Sequence, residues 1–471
     1  KAIMIGSNYS RDNLGLKTQF KASKRITLDF NIRYSRIKVR GAGANSLNDS
    51  GSQTTGRLKN AMLYTPIPLK AQIEGGDDLE ENSSDAVMPT VAVSDSDRKR
   101  ERTNWNANAG FTWEIVDDLR LKVEAGMEEY RQETNSFYGV TTYYSKVGGS
   151  GSSVPGTPST NYNDVTRRRV RNTNTLNYDF RKLISNDNHH LNVLLGQEYI
   201  ITEQRTFNTW VDGLPDFYTA EQAWTFMGSA SNASSSNMNY AADDILLSYF
   251  GRINYTFASK YLLTVTGRYD GTSKFADSQK WGFFPSFSLG WNAHEEGFLK
   301  DKTPFEQLKV RMGWGQVGNE ASAAQFGYIS LMNSSYRAVI GDQLQQGQIQ
   351  RTFANSELAW ETAEQVNFGI DFGTLNMRLT GTIDYFVRTT KDMILRTPIP
   401  LYVGMGRANT NAGSMRNKGL EVTLRWNDKI GKDFSYSISA NASFVKNKVL
   451  SLGSPDPIYG GGVARKAENF T

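Results

Sequence analysis

Stretches of alternating apolar and polar residues, each about ten residues long, run along most of this chain. In Phe434–Phe444, aromatic, aliphatic or alanine residues take every second position, and serine or asparagine fills the positions between them. Because successive side chains of a β-strand point to opposite faces, such a segment has one apolar and one polar face. Repeated at this length, with aromatic residues at the ends, the pattern favours a transmembrane β-barrel, apolar towards lipid and polar towards a lumen.

The same alternation recurs in other segments. They are Ile26–Tyr34, Trp105–Ile115, Gln365–Phe372, Met377–Arg388 and Leu420–Trp426. Their polar faces carry charged residues in mid-strand, such as Asp29, Asp384 and Arg425. Charges at such positions would be poor neighbours for lipid, but they suit a hydrated interior.

Short and long connections alternate between these strands. The short ones fall near Phe20–Lys24, Val116–Leu119, Lys182–His189, Phe257–Lys260, Glu295–Glu306, Thr374–Leu375 and Asn427–Asp433. The long ones fall near Gly41–Thr103, Gln132–Val165, Glu203–Asp243, Gly271–Gly282, Asn319–Trp360, Arg396–Ser414 and from Ser451 onward. An up-and-down meander gives this alternation, with short periplasmic turns and long extracellular loops. The sequence therefore predicts an all-β, antiparallel transmembrane barrel with about fourteen strands.

Composition narrows the alternatives. A soluble chain of 471 residues would form two or three domains by default, and one large barrel is the other way to use this length. No apolar run reaches the length of about 18 residues that a membrane-spanning helix needs. The absence of cysteine excludes disulfides and thiolate chemistry, and a net charge of +5 does not argue for nucleic acid. Because the first residues lack the pattern of a signal peptide, we expect processing or cropping at the front of this exported chain.

From Lys260 to Phe275 the chain reads KYLLTVTGRYDGTSKF. This segment resembles the "KYLLTATxRxDGSSRF" strand and loop of SusC/RagA-type TonB-dependent transporters. The resemblance continues in order through Trp281–Ser286, Gly290-Trp291, Glu296–Leu299, Leu308–Arg311, Gly315–Asn319, Trp360-Glu361 and Asn411–Glu421. The earlier part of the chain is similar to the family only in its layout.

The resemblance implies one part of a barrel of about 22 strands, with the plug domain and the C-terminal closing strands absent from residues 1–471. It also implies TonB-dependent import of a glycan or oligopeptide across the outer membrane of a Bacteroidetes-type bacterium. The implied partners are a SusD-like surface lipoprotein and, through the plug, the TonB complex, with lipid and lipopolysaccharide around the barrel. Two alternatives stay open, a passive porin or secretion channel and a soluble carbohydrate-binding or adhesive protein.

Aromatic residues in the connection Phe207–Met227 are the candidates for contact with a substrate or a lid protein. They are Trp210, Phe217, Tyr218, Trp224 and Phe226. Exposed aromatic clusters mark binding surfaces, although burial within the loop itself is the simpler explanation of such residues. The positions of the family motif are expected to be structural. They are Arg268, Asp270, Gly271, Phe275, Phe284, Pro285, Trp291, Gly315, Gly318, Asn319, Asn417 and Gly419.

Other polar segments carry weaker hypotheses. The acidic run Glu74–Glu81 offers oxygen ligands for calcium but lacks the spacing of an EF-hand, so solvated charge is the simpler interpretation. The segment Thr54–Lys70 is compatible with a short helix that ends before Pro66. Arg167–Arg169 and Arg171 suggest contact with anionic lipopolysaccharide or a position lining the mouth, and a solvated strand end is the alternative. No arrangement of residues indicates a catalytic, cofactor or metal site, so we expect no enzyme.

Overall fold

The computed structural model describes residues 6–41, 95–140, 156–184, 186, 188–299, 302–330, 332–350, 353–397, 402, 404–406 and 409–453. The strands are β1 (Asn8–Lys21), β2 (Ile26–Arg40), β3 (Ser96–Val116), β4 (Leu119–Tyr138), β5 (Ser159–Asp179), β6 (His189–Asp212), β7 (Asn232–Phe257), β8 (Tyr261–Thr272), β9 (Trp281–Asn292), β10 (Phe305–Asn319), β11 (Met332–Ile340), β12 (Gln343–Gln350), β13 (Glu361–Thr374), β14 (Leu379–Arg396), β15 (Asn409–Ile430) and β16 (Phe434–Ser451). One α-helix, α1 (Ala220–Thr225), and the 3₁₀ turns Phe180–Lys182, Met227–Ser229 and Ala293–Glu295 complete the described elements.

Fourteen strands form a single antiparallel sheet in which neighbours in space are neighbours in sequence. The remaining two strands, β11 and β12, make a separate hairpin between β10 and β13. This order confirms the predicted up-and-down meander and its number of strands. In the described part of the chain, no helix is long and apolar enough to cross a membrane.

The register divides the sheet into two chemically distinct faces. Phe368 lies opposite Tyr385 and Met312, and the next residue, Gly369, lies opposite Asp384 and Arg311. Residues directly opposite each other in an antiparallel pair share a face. The outer face therefore carries exposed apolar side chains in mid-strand, with Phe368 50% exposed, whereas the inner face carries the charges. This is the predicted arrangement of lipid-facing and lumen-facing residues.

The strands are longer than the predicted ten or so residues. They range from 12 residues in β8 to 26 in β7, apart from the separate hairpin. Strands consequently extend into two of the predicted loops, Gln132–Val165 and Glu203–Asp243. β4 continues to Tyr138, and β7 begins at Asn232. Above the lipid-facing band polar residues dominate both faces of these strands, so the apolar alternation stops while backbone pairing continues. The sequence pattern shows only the part of each strand that crosses lipid.

The predicted short connections are confirmed, and one of them contains a compact polar centre. Glu296, just after the turn Ala293–Glu295, accepts hydrogen bonds from Lys260 Nζ at 3.1 Å, Tyr261 Oη at 2.6 Å and Trp291 Nε1 at 3.2 Å. These donors lower the pKa of the Glu296 carboxyl, with the Tyr261 hydroxyl contributing most. The carboxylate therefore joins two adjacent periplasmic turns.

The Glu296→Gln variant should lose stability at neutral pH. Since folding lowers the pKa, ionised Glu296 stabilises the fold above the ordinary value of about 4.3, and this contribution disappears as the pH falls through the lowered pKa. In detergent, the melting temperature of the variant should therefore be lower than that of the wild type at about pH 7. The two melting temperatures should converge at about pH 3. An equal difference in melting temperature at both pH values would show that the charge of Glu296 is not the cause.

Candidate functional site

Apolar side chains close part of the inner face at its extracellular end. Phe275, Phe284, Ala323, Leu358 and Trp360 are all less than 8% exposed and pack together. The Trp360 ring makes edge contacts with Phe275 at 5.6 Å and with Phe284 at 5.4 Å between ring centroids. We call these five residues the mouth cluster. It holds together the connections that follow β8 and β10 and precede β13.

A buried carboxylate lies next to the mouth cluster. Glu361 Oε2 accepts hydrogen bonds from Asn319 Nδ2 at 2.6 Å and Ser322 Oγ at 3.2 Å, and Oε1 accepts one from the Ile394 amide at 2.7 Å. These partners come from two separate parts of the chain, residues 319–322 and residue 394. The Trp360-Glu361 and Asn319 positions of the family motif thus meet in one structural centre at the mouth.

Glycines make room for side chains in this region, on both faces of the sheet. A Cβ atom would overlap a neighbouring side chain at Gly271, Gly315, Gly318 and Gly419. At Gly318 the obstacle is the ring of Phe284, which belongs to the mouth cluster. Of the other motif positions, Asn417 accepts a hydrogen bond from Asn447 Nδ2 at 2.6 Å, and Pro285 lies opposite Gly267 on the outer face.

Arg268 forms a polar network on the inner face below the mouth. Its guanidinium donates to Glu198 Oε1 at 3.1 Å, Ser248 Oγ at 2.8 Å and Asp270 Oδ2 at 3.0 Å, and it lies 5.3 Å from the centre of the Phe250 ring. The sequence pointed to Arg268 and Asp270 but not to Glu198, which comes from β6, 70 residues away. The bonds from Nε and Nη2 all run to side chains of the wall, so the network stabilises the wall itself.

A second network crosses three strands and was not foreseen from the sequence. Arg311 on β10 donates to both oxygens of Asp371 on β13, at 2.7 and 2.9 Å, and to Asp384 on β14 at 3.0 Å. Gly369 lies directly between Arg311 and Asp384 in the register. A Cβ atom there would come within 2.7 Å of Arg311 Cζ. The arginine reaches across two strands because the position between them has no side chain.

Substituting Gly369→Ala should break this bridge. The added methyl group displaces Arg311 from Asp384, and overpacking of this kind costs about 1–3 kcal/mol. Chemical unfolding in detergent would measure the loss. The matched control is Gly313→Ala, two residues from Arg311 on the same face, where the nearest atom to an added Cβ is 3.9 Å away. Equal stability of the two variants would show that the space at Gly369 is not needed for the Arg311–Asp384 contact.

The connection between β6 and β7 folds back against the outer face of the sheet, above the lipid-facing band. Phe137 and Val211 lie on that face and are buried together with Leu214 and Ala223 of the connection. Thr219 is the N-cap of helix α1, and its hydroxyl accepts a hydrogen bond from the Gln222 amide in a capping box. Tyr218 and Trp224 of this connection consequently lie beside the outer face of the barrel wall.

The structure divides the five candidate contact residues into three groups. Trp210 belongs to β6, points to the inner face and stacks on Tyr138 with 5.4 Å between ring centroids. Tyr218 and Trp224 pack against the buried residues beneath α1. Phe217 and Phe226 remain 76% and 53% exposed. Only these last two present a large apolar surface to a partner.

The interpretation of Arg167–Arg169 and Arg171 as a strand end is wrong, because these residues lie in the middle of β5. Arg168 points to the outer face and pairs with Glu129 at 3.3 Å. Arg167 points inward and lies 5.4 Å from the centre of the Tyr130 ring. An ion pair at Arg168 and a ring contact at Arg167 thus link these two charges to the neighbouring strand β4. The predicted helix in Thr54–Lys70 and the acidic run Glu74–Glu81 lie outside the described residues.

Comparison with known proteins agrees with this geometry. The family model described as TonB dependent receptor-like, beta-barrel, matches residues 71–462. The chain belongs to this family. Its barrel is therefore a bacterial outer-membrane barrel, as predicted.

Relatives of the family are similar over different parts of the chain. TonB-dependent receptor P3 of Formosa agariphila is 28% identical over 460 residues, which is 97% of this chain and 44% of that protein. TonB-dependent receptor SusC of Bacteroides thetaiotaomicron is 38% identical over 225 residues, which is 47% of this chain and 22% of that protein. Both are receptors, and neither is named as an enzyme. The chain thus spans less than half the length of the relatives it matches.

A solved structure shows the same fold. The structure titled "Structure of the RagAB peptide transporter" superposes with a TM-score of 0.76 at 22% identity, covering 94% of this chain and 47% of the matched one. The resemblance to SusC/RagA-type proteins that the motifs indicated is therefore confirmed in sequence and in fold.

Proposed function

We propose that this chain is part of a TonB-dependent transporter that imports a large nutrient, a glycan or an oligopeptide, across the bacterial outer membrane. The observation that carries the proposal is the combination of the TonB-dependent receptor family match with a polar, ion-paired inner face. A wall of this kind suits the passage of a hydrated solute. Movement against a gradient requires energy, which TonB would supply from the inner membrane.

The barrel of the complete protein is proposed to be larger than the sheet described here. Within the described residues, β1 and β16 each pair with one neighbour, and they do not pair with each other. Closing a sheet into a barrel requires its edge strands to be paired, and transporters of this size have about 22 strands. A plug domain and further closing strands would complete the molecule. Intact mass of the detergent-extracted protein near twice that of residues 1–471 would support this proposal, and a mass equal to theirs would oppose it.

Transport is proposed to proceed by binding and gating rather than by catalysis. Substrate would be captured between the extracellular segments and a lid, then released when TonB disturbs the plug. A SusD-like surface lipoprotein is the proposed lid. This inference rests on the similarity to the receptor named SusC over 225 residues.

Uptake of labelled substrate tests the proposal against a passive channel. Cells that produce the protein are given fluorescent oligosaccharides or oligopeptides, with and without a protonophore, and in the presence or absence of TonB. Accumulation that requires both TonB and the proton-motive force is expected. Uptake that persists without either would support a porin or secretion channel instead.

The exposed aromatic residues of the β6–β7 connection are proposed to contact the lid protein. Phe217 and Phe226 lie at the extracellular side, where a surface lipoprotein would meet the barrel, and exposed aromatic residues are enriched in protein interfaces. The double variant Phe217→Ser/Phe226→Ser should therefore reduce co-purification of the lipoprotein several-fold without altering barrel assembly. A matched control is Phe207→Ser, since Phe207 is also exposed but lies on β6. Unchanged co-purification would remove these residues from the interface.

A further inference from the structure

Four arginines lie close together on the inner face of the sheet. They are Arg98, Arg100 and Arg102 on β3 and Arg167 on β5. The register places them on the face of Thr173, which lies opposite Glu198 of the inner-face network. Tyr130 of β4 lies between the two strands, and the guanidinium groups of Arg102 and Arg167 are each 5.4 Å from the centre of its ring. We call these four arginines the arginine cluster.

The arginine cluster lies at the extracellular side of the lipid-facing band. On β3 that band runs from Trp113 to Trp105, and polar residues take the outer positions beyond it. Arg102 and Arg98 follow Trp105 by three and seven residues, which is about 10–23 Å further along the strand. A solute that enters from outside the cell therefore meets these guanidinium groups before it reaches the level of the membrane.

Within the described residues, the positions beside the β3 arginines carry no carboxylate. β3 pairs with a described strand on each side, and the residues opposite these arginines are uncharged. They are Val39 and Ile37 on β2 and Ser136, Thr134 and Gln132 on β4. None of the four guanidinium groups forms an ion pair in this part of the chain, and Arg98 Nε is shielded from solvent without an acceptor. The excess positive charge therefore lies inside the sheet and is not an effect of an open edge.

The outer face of β2–β5 treats its arginines differently. There, arginines at the same height pair with carboxylates of adjacent strands. The pairs include Arg36–Glu101 at 2.5 Å, Arg40–Asp97 at 2.8 Å and Arg131–Asp164 at 2.9 Å. Glu101 and Asp97 alternate along β3 with the arginines of the cluster, so the same strand neutralises arginines on one face only. Unpaired guanidinium groups at this height are thus a property of the inner face.

Neighbouring side chains hold the arginine cluster in place without neutralising it. Gln132 Oε1 accepts hydrogen bonds from Arg102 Nε at 3.3 Å and Nη2 at 2.8 Å, and from Tyr130 Oη at 2.9 Å. The Tyr130 ring attracts the guanidinium groups beside it but carries no net charge. A guanidinium presents paired N–H donors that match a carboxylate, and a wall of one charge sign concentrates ligands of the other. The arrangement suits an anionic solute.

The surroundings of the arginine cluster favour a sugar chain over a peptide. The inner face around it is rich in amide side chains. They are Asn104, Asn106, Asn161, Asn163 and Asn208. Each amide offers both donors and an acceptor, as the hydroxyl groups of a sugar do. The backbone groups of β3 to β5 are used in strand pairing, so a peptide finds no strand edge with which to form main-chain hydrogen bonds.

We propose that the arginine cluster binds the acidic groups, carboxylate or sulfate, of an anionic oligosaccharide that enters the barrel. The inference rests on the import function proposed above and narrows its substrate to an acidic glycan. Successive arginines on β3 are two residues apart, which is about 7 Å along the strand. Acidic groups on one sugar chain can therefore contact more than one arginine, while the amides bind its hydroxyl groups.

Binding of acidic oligosaccharides to the full-length protein in detergent, measured by isothermal titration calorimetry, tests the site. The probes are oligogalacturonate and a sulfated galactan oligosaccharide, each compared with its neutral counterpart, the methyl ester or the desulfated sugar. Wild type should bind at least one acidic probe about tenfold or more tightly than its counterpart. The variant Arg100→Gln/Arg102→Gln should lose most of this preference, because each hydrogen bond to a charged group contributes a factor of about ten or more. Equal affinity of wild type for both acidic probes and their counterparts would overturn the site.

Two further variants show whether the position and the shape of the charge matter. Arg131→Gln is the matched control, since Arg131 lies on the outer face of β4 and is paired with Asp164. It should bind the acidic probe like wild type. Arg100→Lys/Arg102→Lys keeps the charge but loses the paired donors, so its affinity should be intermediate. The shift of the folded barrel on a heated versus unheated gel shows that each variant is assembled.

Other occupants of the arginine cluster predict different results. Unchanged binding of the acidic probe by Arg100→Gln/Arg102→Gln, with a lower melting temperature, would overturn the site and show that these arginines pair within the complete protein, as with a plug. Equally tight binding of oligoglutamate of the same length and charge would overturn the assignment to a sugar.

Uptake by cells separates this inference from the proposed function. If an acidic probe binds in detergent but enters cells without TonB, the proposed import function is wrong and the site stands. If the protein supports TonB-dependent uptake of other solutes but binds neither acidic probe better than its neutral counterpart, the site is wrong and the function stands.

Discussion

Replacing Phe368 by arginine should prevent assembly of the barrel in the membrane. Phe368 is 50% exposed on the outer face, in the middle of β13 between Met312 and Tyr385. A basic side chain at this depth of the lipid face costs about 2–4 kcal/mol. Since native proteins are stable by only about 5–15 kcal/mol, the folded fraction in the outer membrane should fall sharply. Heat-modifiable mobility on gels of isolated outer membranes measures that fraction.

The neighbouring position is the control for this experiment. Asn367 lies one residue away on the opposite, inner face, where its side chain accepts a hydrogen bond from Gln365 at 2.7 Å. Asn367→Arg should assemble almost normally, because a guanidinium suits a hydrated interior. If both variants assembled to the same extent, the assignment of the two faces would be wrong.

The second large effect is expected at Trp360. This side chain is 7% exposed in the mouth cluster, packs edge-on against two phenylalanine rings and donates from Nε1 to the Lys280 carbonyl at 3.2 Å. Truncation of a buried aromatic residue to alanine costs about 3–5 kcal/mol. We expect Trp360→Ala to loosen the extracellular connections that the mouth cluster holds together. Limited proteolysis of intact cells should then cleave them faster than in wild type.

Two further variants separate the causes of this effect. Trp360→Phe retains an aromatic ring but loses the hydrogen bond, which contributes about 0.5–1.5 kcal/mol, so its cleavage rate should be intermediate. Trp281→Ala removes an indole from the outer face, where the ring stacks on Tyr269, and should leave the cleavage rate unchanged. Protection of the connections in Trp360→Ala would show that the mouth cluster does not organise them.

Much of the fold could be predicted from residue alternation alone. The number of strands, their order and the short turns agree with the prediction, because a period of two residues is a local property that the chain displays without its neighbours. The extracellular halves of β4 to β7 could not be predicted. In those regions polar residues dominate both faces, and only pairing with the next strand makes them extended.

The candidate site was predicted less completely. The motif positions Phe275, Phe284 and Asn319 were identified, but their meeting with Trp360 and Glu361 was not. For the loop aromatics, sequence spacing could not show that Trp210 points inward while Phe217 and Phe226 stay exposed. The sequence does not mark where a strand ends and the loop after it begins. Only the packed structure shows that boundary.

The sequence by itself determined which residues meet lipid and which meet the lumen, because alternation along a strand depends only on neighbouring residues. The tertiary structure alone decided which inner-face charges meet. Arg311 contacts Asp371 and Asp384, which lie 60 and 73 residues further along the chain, and the contact also requires a glycine at position 369. The physical reason is register. Shifting one strand by two residues keeps every side chain on its own face but brings different charges together, so pairing partners exist only once the strands are aligned.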